Sequence, residues 1–179
     1  MERAEVCKVY IVSGPSGVGK STTSKQLVKS LYRSAYISGD SISHMHVNGR
    51  KKPWESKEEL SLIWGNILSL TKNFISFGND VVIDYVTFPQ EAKWLREKLK
   101  DLNVEVSYVV LWTDNETLMN RDNMRKLENR MGERCLVLVH EFIESGLDKK
   151  HLLDTSKNTI DDIPNVINEI RDNEKYIIR

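Results

Sequence analysis

Val9-Tyr10-Ile11-Val12-Ser13-Gly14-Pro15-Ser16-Gly17-Val18-Gly19-Lys20-Ser21 is the stretch that decides how this chain reads. An apolar run delivers the backbone into a segment that fits the phosphate-loop pattern G-x-x-x-x-G-K-[S/T] at every fixed position, from Gly14 to Ser21. A glycine-rich turn lets successive backbone N–H groups converge on a polyanion without Cβ atoms in the way, and a following helix aims its first N–H groups at the same point. The ligand implied is a nucleoside triphosphate. On that scheme Gly14, Ser16, Gly17, Val18, Gly19 and Thr22 line the phosphates, Lys20 reaches the outer ones, and the Ser21 hydroxyl is a ligand of Mg²⁺.

The flanks agree with the motif. Residues 6–12 are strand-like, and residues 21–32 place Leu27, Val28 and Leu31 on one helical face. The dinucleotide fingerprint G-x-G-x-x-G/A fits less well, because Gly17 and Gly19 would need a third small residue where Thr22 stands.

Composition bounds the rest. The 179 residues are 40% apolar and 29% charged, the make-up of a globular chain with room for a five-stranded sheet covered by helices. Lys plus Arg and Asp plus Glu are 26 each, so no net field draws the chain to nucleic acid or to an anionic membrane. Residues 1–3 are read as leading into a strand and not as a signal sequence. No apolar run approaches a membrane span, so a cytoplasmic location is expected. Cys7 and Cys135 make no C-x-x-C pair and read as small buried hydrophobes, and His44 and His46 are too few for a zinc site.

Further along, residues 35–38 form a short strand ending in Gly39-Asp40, and residues 41–56 read as a polar loop. Ser56-Lys57-Glu58-Glu59 has the form of a capping box opening a helix, along which Leu60, Ile63, Trp64, Ile67, Leu68, Phe74 and Ile75 recur at helical spacing until Gly78. Val81-Val82-Ile83 is a doubly buried strand ending at Asp84. Residues 89–100 are a helix with Ala92, Leu95 and Leu99 inward, and residues 104–112 another strand. Residues 114–146 are helical but carry Arg121, Arg125, Arg130 and Arg134, with a break at Gly132. They read as a lid. Leu152-Leu153 is a short strand and residues 161–173 the last helix. Alternating strands and helices imply one α/β domain over residues 1–179, a parallel sheet wound on both faces with its binding groups at the strand ends.

Phosphoryl transfer demands charge neutralisation and in-line positioning, and each has a candidate. Asp40 and Asp84 both follow apolar strands and so emerge at the edge that carries the phosphate loop. Asp40 is placed to accept a proton from an attacking hydroxyl or to align it. Asp84 is placed to hold Mg²⁺ through water or to bind the acceptor. Arg121 and Arg125 share a helix face and suit a transferring phosphoryl group. His44 and Trp54, among Arg50, Lys51 and Lys52, suit a polar, anionic or sugar-like acceptor. Trp112 is followed by Thr113-Asp114-Asn115-Glu116 and not by N-K-x-D, which disfavours a guanine switch.

The phosphate loop, the Gly39-Asp40 strand ending with His44 behind it, and the arginine-bearing lid give the chain a family resemblance. It resembles the small P-loop kinases of the gluconate, shikimate and adenylylsulfate kinase kind. G-D-x-x-x-H and Pro53-Trp54 are similar to gluconate kinases, most of all to bacterial proteins grouped with them over nearly the whole chain. Val82-Ile83-Asp84 is similar to polynucleotide-kinase-like members. The resemblance implies a P-loop three-layer αβα sandwich with sheet order 2-3-1-4-5, and ATP with Mg²⁺ as donor. It also implies an acceptor held near Asp40 and a nucleotide base near residues 155–158. The expected function is an ATP-dependent kinase of a small molecule, with a sugar acid, nucleoside or antibiotic-like acceptor, acting as monomer or homodimer. A P-loop ATPase or ATP-binding regulator without an acceptor, and a 5′-hydroxyl polynucleotide kinase, stand as alternatives.

Overall fold

A computed structural model describes residues 6–179, so the reading of residues 1–3 lies outside the described residues. Five strands, β1 (Cys7–Ser13), β2 (Ser34–Ser38), β3 (Asp80–Asp84), β4 (Val104–Trp112) and β5 (Leu152–Asp154), form one parallel sheet in the order β2-β3-β1-β4-β5. This is the expected order. A central parallel strand has neighbours on both edges and helices on both faces, which is why β1 is apolar at successive positions: Val9, Tyr10, Ile11 and Val12 are all buried.

Alternation along the strands divides the interior into two layers. On one face Val9, Ile11, Val81, Ile83, Val106 and Val110 pack with α3 (Lys57–Ser76) and α4 (Pro89–Lys98), through Ile63, Trp64, Ile67, Ala92 and Leu95. On the other, Tyr10, Val12, Val82, Val109 and Leu111 meet Leu27 of α1 (Lys20–Ser30) and Leu118 of α5 (Asn115–Asn123). Val139 of α6 (Arg134–Glu144) and Ile167 and Ile170 of α7 (Ile163–Asp172) complete that layer. The result is the three-layer αβα sandwich expected from sequence.

One element was missed. The segment read as a loop from residue 41 opens with a helix, α2 (Gly39–Met45), labelled here in chain order between β2 and α3. The Ser38 hydroxyl accepts from the Ser41 amide at 3.2 Å, Asp40 sits in the positive first turn, and Ile42 and Ser43 are buried. Three buried residues in seven, Gly39, Ile42 and Ser43, of which only Ile42 is a large apolar residue, make no period that shows in sequence. The capping box at Ser56 is half realised: Ser56 Oγ accepts from the Glu59 amide at 3.2 Å, but the Glu59 carboxylate turns elsewhere. The break at Gly132 is real, since this residue takes φ 53° between α5 and α6. Cys135 is buried and Cys7 half-buried. Among the described residues no helix is long and apolar enough to cross a membrane.

Candidate active site

The loop between β1 and α1 has the backbone the motif requires. Gly14, Gly17 and Gly19 take φ of 135°, 87° and 105°, values that residues with a Cβ rarely adopt. Gly14 is constrained twice, because a Cβ there would lie 2.4 Å from the carbonyl oxygen of Leu111 on β4. Val18 is buried and anchors the loop, while Ser21 and Thr22 stand exposed on the first turn of α1. Gly19 caps that helix without a side-chain hydrogen bond, which leaves its opening N–H groups to an incoming anion. Lys20 folds back over the loop and donates to the carbonyls of Gly14 at 3.0 Å and Pro15 at 2.9 Å.

Two carboxylates face that ammonium. Burial pushes the Lys20 pKa below the ordinary lysine value, and the charges of Asp84 and Asp40 act against it. Both aspartates owe their place to strand ends: Val12 and Ser38 are the register partners of Asp84, and Asp40 comes two residues after Ser38, past Gly39. They differ in setting. Asp40 is exposed in the first turn of α2, whereas Asp84 is buried and accepts from the Tyr36 hydroxyl at 2.6 Å. Tyr36 went unremarked in the sequence because nothing distinguishes it from a packing tyrosine in a strand. Gly39 is needed for a different reason from Gly14, since a Cβ there would lie 2.2 Å from the Tyr85 ring. Tyr85 in turn packs edge-on to Trp64 at 5.9 Å, making an aromatic floor under the start of α2.

The donors around Lys20 suit Mg²⁺. It is a hard cation that takes oxygen ligands, keeps several waters and leans on substrate phosphates more than on an all-protein cage. Ser21 and Asp84 supply hard oxygen donors, with the Tyr36 hydroxyl beside both.

The arginines of residues 114–146 diverge. Arg125 donates to Ser16 Oγ of the phosphate loop at 3.1 Å and pairs with Asp122 at 3.2 Å. Arg121 points to the other side of the loop. It donates to the carbonyls of Val18 (3.2 Å), Thr155 (3.1 Å) and Asn158 (3.4 Å), at the segment expected to flank a nucleotide base. Arg130 donates to the Arg125 carbonyl, and Arg134 forms a two-pronged pair with Glu141, so neither reaches the loop. The organiser is Asp122, which the sequence reading passed over as one more charge on a polar helix. It is fully buried and accepts from the amides of Met131 and Gly132 (2.8 Å for the latter), folding the segment between α5 and α6 over itself. Burial pushes its pKa up, but those amides and Arg125 outweigh it and hold the carboxyl below the ordinary aspartate value.

In α2, His44 Nδ1 meets the carbonyl of Asp40 at 2.7 Å, which locks the ring to its own helix. Trp54 is exposed, with the Arg134 guanidinium 5.4 Å and the Lys52 ammonium 5.7 Å from its ring centre, so this loop touches the lid. Three contacts missing from the sequence reading hold the segment. Arg50 donates to the carbonyl and hydroxyl of Ser43, His46 meets both oxygens of buried Glu59 (2.9 Å and 3.0 Å), and the Lys51 amide donates to the same carboxylate. Only the S-x-x-E spacing drew attention to Glu59, and for a different job.

Known proteins extend the comparison. Residues 9–140 match the family model described as an AAA domain. No curated protein matches the sequence. In fold the chain is similar to a gluconokinase from Sinorhizobium meliloti 1021, with 16% identity, 92% of this chain and 90% of that one covered, and a TM-score of 0.63. It is similar to a sugar kinase from Janibacter sp. HTCC2649 (15% identity, 93% and 95% covered, TM-score 0.66). The APS kinase of Mycobacterium tuberculosis, solved with AMPPNP and APS, is a third (15% identity, 90% and 96% covered, TM-score 0.62). At these identities the likeness establishes a shared fold. The chain belongs to the AAA domain family, and its architecture is that of the small P-loop kinases.

Proposed function

We propose that the protein is an ATP-dependent phosphotransferase that moves the γ-phosphoryl group onto a hydroxyl of a small molecule, of the sugar-acid, nucleoside or antibiotic-like kind. The observation that carries this reading is the convergence of Lys20, Asp40 and Asp84 at the sheet edge where the glycine loop stands. A nucleotide-binding loop alone would account for Lys20. It would not account for a second, exposed carboxylate on the first turn of a helix beside an aromatic floor.

In the reaction Lys20 exchanges the carbonyls of Gly14 and Pro15 for the outer phosphate oxygens, anions being the stronger acceptors. Arg125, already on Ser16, faces the same oxygens, and Arg121 serves the base end through residues 155–158. Mg²⁺, when bound with Ser21 and Asp84, draws charge from the phosphates. Asp40 aligns the acceptor hydroxyl and takes its proton as the O–P bond forms and the bond to the leaving diphosphate breaks. His44 and Trp54 flank the acceptor, and closure of residues 114–146 excludes water.

The test is turnover of labelled ATP over a panel of hydroxyl-bearing metabolites, nucleosides and antibiotics, with a 5′-hydroxyl oligonucleotide as a further arm. At least one small acceptor is expected to raise ATP consumption. Lys20→Met should then lower kcat/KM by about 10³-fold or more, and Asp40→Asn should lower kcat by about 10²- to 10⁴-fold while ATP affinity stays within about threefold. Steady hydrolysis that no acceptor stimulates, labelling of the oligonucleotide alone, or full turnover in Lys20→Met would each overturn the reading.

A further inference from the structure

The second strand sends one hydroxyl into this site that no motif marks. Tyr36 stands two residues before Ser38, whose register partner is Asp84, and its side chain runs along the sheet to donate to Asp84 Oδ2 at 2.6 Å. The hydroxyls of Ser38 and Ser21 lie next to the same phenol oxygen, and the Lys25 ammonium lies 5.9 Å from the ring centre. Tyr36 is half-buried and Asp84 buried, so water competes poorly for this bond.

The geometry poses a problem that Tyr36 solves. Lys20 and Asp84 carry opposite charges that act on each other, and Asp84 is buried, so water screens their attraction only in part. Were they to pair, Lys20 would be lost to the phosphates and Asp84 to the metal. In the structure each is held apart, Lys20 on the carbonyls of Gly14 and Pro15, and Asp84 by the phenol. An O–H donor on a carboxylate makes one of the stronger hydrogen bonds available. It fixes one oxygen of Asp84 and leaves the other, which carries no hydrogen bond among the described residues, to face the site.

We infer that Tyr36 is a positioning residue, whose hydroxyl keeps Asp84 off Lys20 and turned toward the cation that Ser21 would ligate. The inference rests on the kinase reading above and adds a residue that acts through Asp84 without touching substrate. Outer partners of metal-binding groups of this kind commonly control metal affinity.

The experiment is calorimetric titration of a non-hydrolysable ATP analogue at a series of Mg²⁺ concentrations, with Mn²⁺ bound in place of Mg²⁺ followed by electron paramagnetic resonance. Tyr36→Phe keeps the ring and removes the hydroxyl. It is expected to raise the Mg²⁺ concentration for half-maximal nucleotide binding about tenfold and broaden the Mn²⁺ signal, and to weaken metal-free nucleotide binding as well, because Asp84 then draws Lys20 from the phosphates. In an Asp84→Asn background the same change should add nothing, because the group it acts through is already gone. Melting curves check the fold, and Tyr36→Leu repeats the test should Tyr36→Phe melt early. An unchanged Mg²⁺ midpoint, or an equal loss in the Asp84→Asn background, overturns this inference alone. A wild-type chain that binds no nucleotide at all sinks the kinase reading with it.

Discussion

The two segments of the proposed site, donor and acceptor, are held by different means. On the donor side, main-chain geometry does the holding: three glycines at positive φ, a helix with an open N-terminus, and a lysine resting on loop carbonyls. On the acceptor side, residues 39–56 are fixed by side chains that reach across the fold, Arg50 to Ser43, His46 to Glu59, and Trp54 against Arg134. A site made of backbone tolerates almost no substitution and is the same whatever the acceptor. One made of side chains can be rebuilt residue by residue for a new ligand while the catalytic geometry beside it stays put.

The largest effect should come from adding one methyl group on the donor side. In Gly14→Ala the new Cβ meets the Leu111 carbonyl at 2.4 Å at a φ of 135°, and neither strand can yield without breaking the sheet. The expected cost is about 3 kcal/mol from strain and overlap together, or roughly 6–12 °C in Tm, with nucleotide binding lost. Gly39→Ala is the matching change on the acceptor side, where the Cβ meets a side chain, the Tyr85 ring, at 2.2 Å. Gly39 has no positive φ to strain, but the clash is with Cγ and Cβ of a buried tyrosine, which no ring rotation clears, so Tyr85 must shift as a whole at about 2–3 kcal/mol, with nucleotide affinity kept. Equal losses of stability and of nucleotide binding in the two variants would erase the distinction drawn above.

The same distinction governs what was legible in the sequence. The glycine loop, the strand ends at Asp40 and Asp84 and the break at Gly132 are local facts, set by residue type at fixed spacing, and the structure has each of them. Sheet order came through resemblance, since nothing local tells β3 to insert between β1 and β2. What stayed hidden is long-range. Tyr36 meets Asp84 across 48 residues, Arg121 meets Thr155 across 34, and His46 meets Glu59 across 13. Asp122 is the instructive case. It sits one position from Arg121 on a polar helix, and only the chain doubling back at Met131 and Gly132 turns a surface charge into a buried anchor.

A milder change tests the acceptor segment by itself. Glu59→Gln keeps the shape of the side chain but weakens its hold on His46 and on the Lys51 amide. Amide exchange at Lys51 is expected to quicken by about tenfold, while residues 14–22 exchange as before. With an acceptor in hand, its KM should rise and ATP affinity should not. Faster exchange in the glycine loop as well would mean that the two sides are one cooperative unit.

The smallest effect is a local one on the lid, and its sign follows from Asp122. Its carboxyl titrates in the folded chain below the ordinary aspartate value of 3.8, because the Gly132 and Met131 amides and Arg125 outweigh the opposing effect of burial. A group with a depressed native pKa contributes stability that is fully present above its unfolded value and is lost as pH falls through the folded one. The fold between α5 and α6 should therefore hold at neutral pH and loosen only below pH 3.8, read as proteolytic cutting near residues 124–133 by an acid protease. Asp122→Asn, which cannot carry the charge at any pH, should be cut there at neutral pH too, by a protease active at that pH, and should free Arg125 from its partner beside Ser16. If the loop in that variant stays as resistant as wild type, the lid is held by the apolar contacts of Leu118 and Val139, and its arginine is positioned by packing and not by charge.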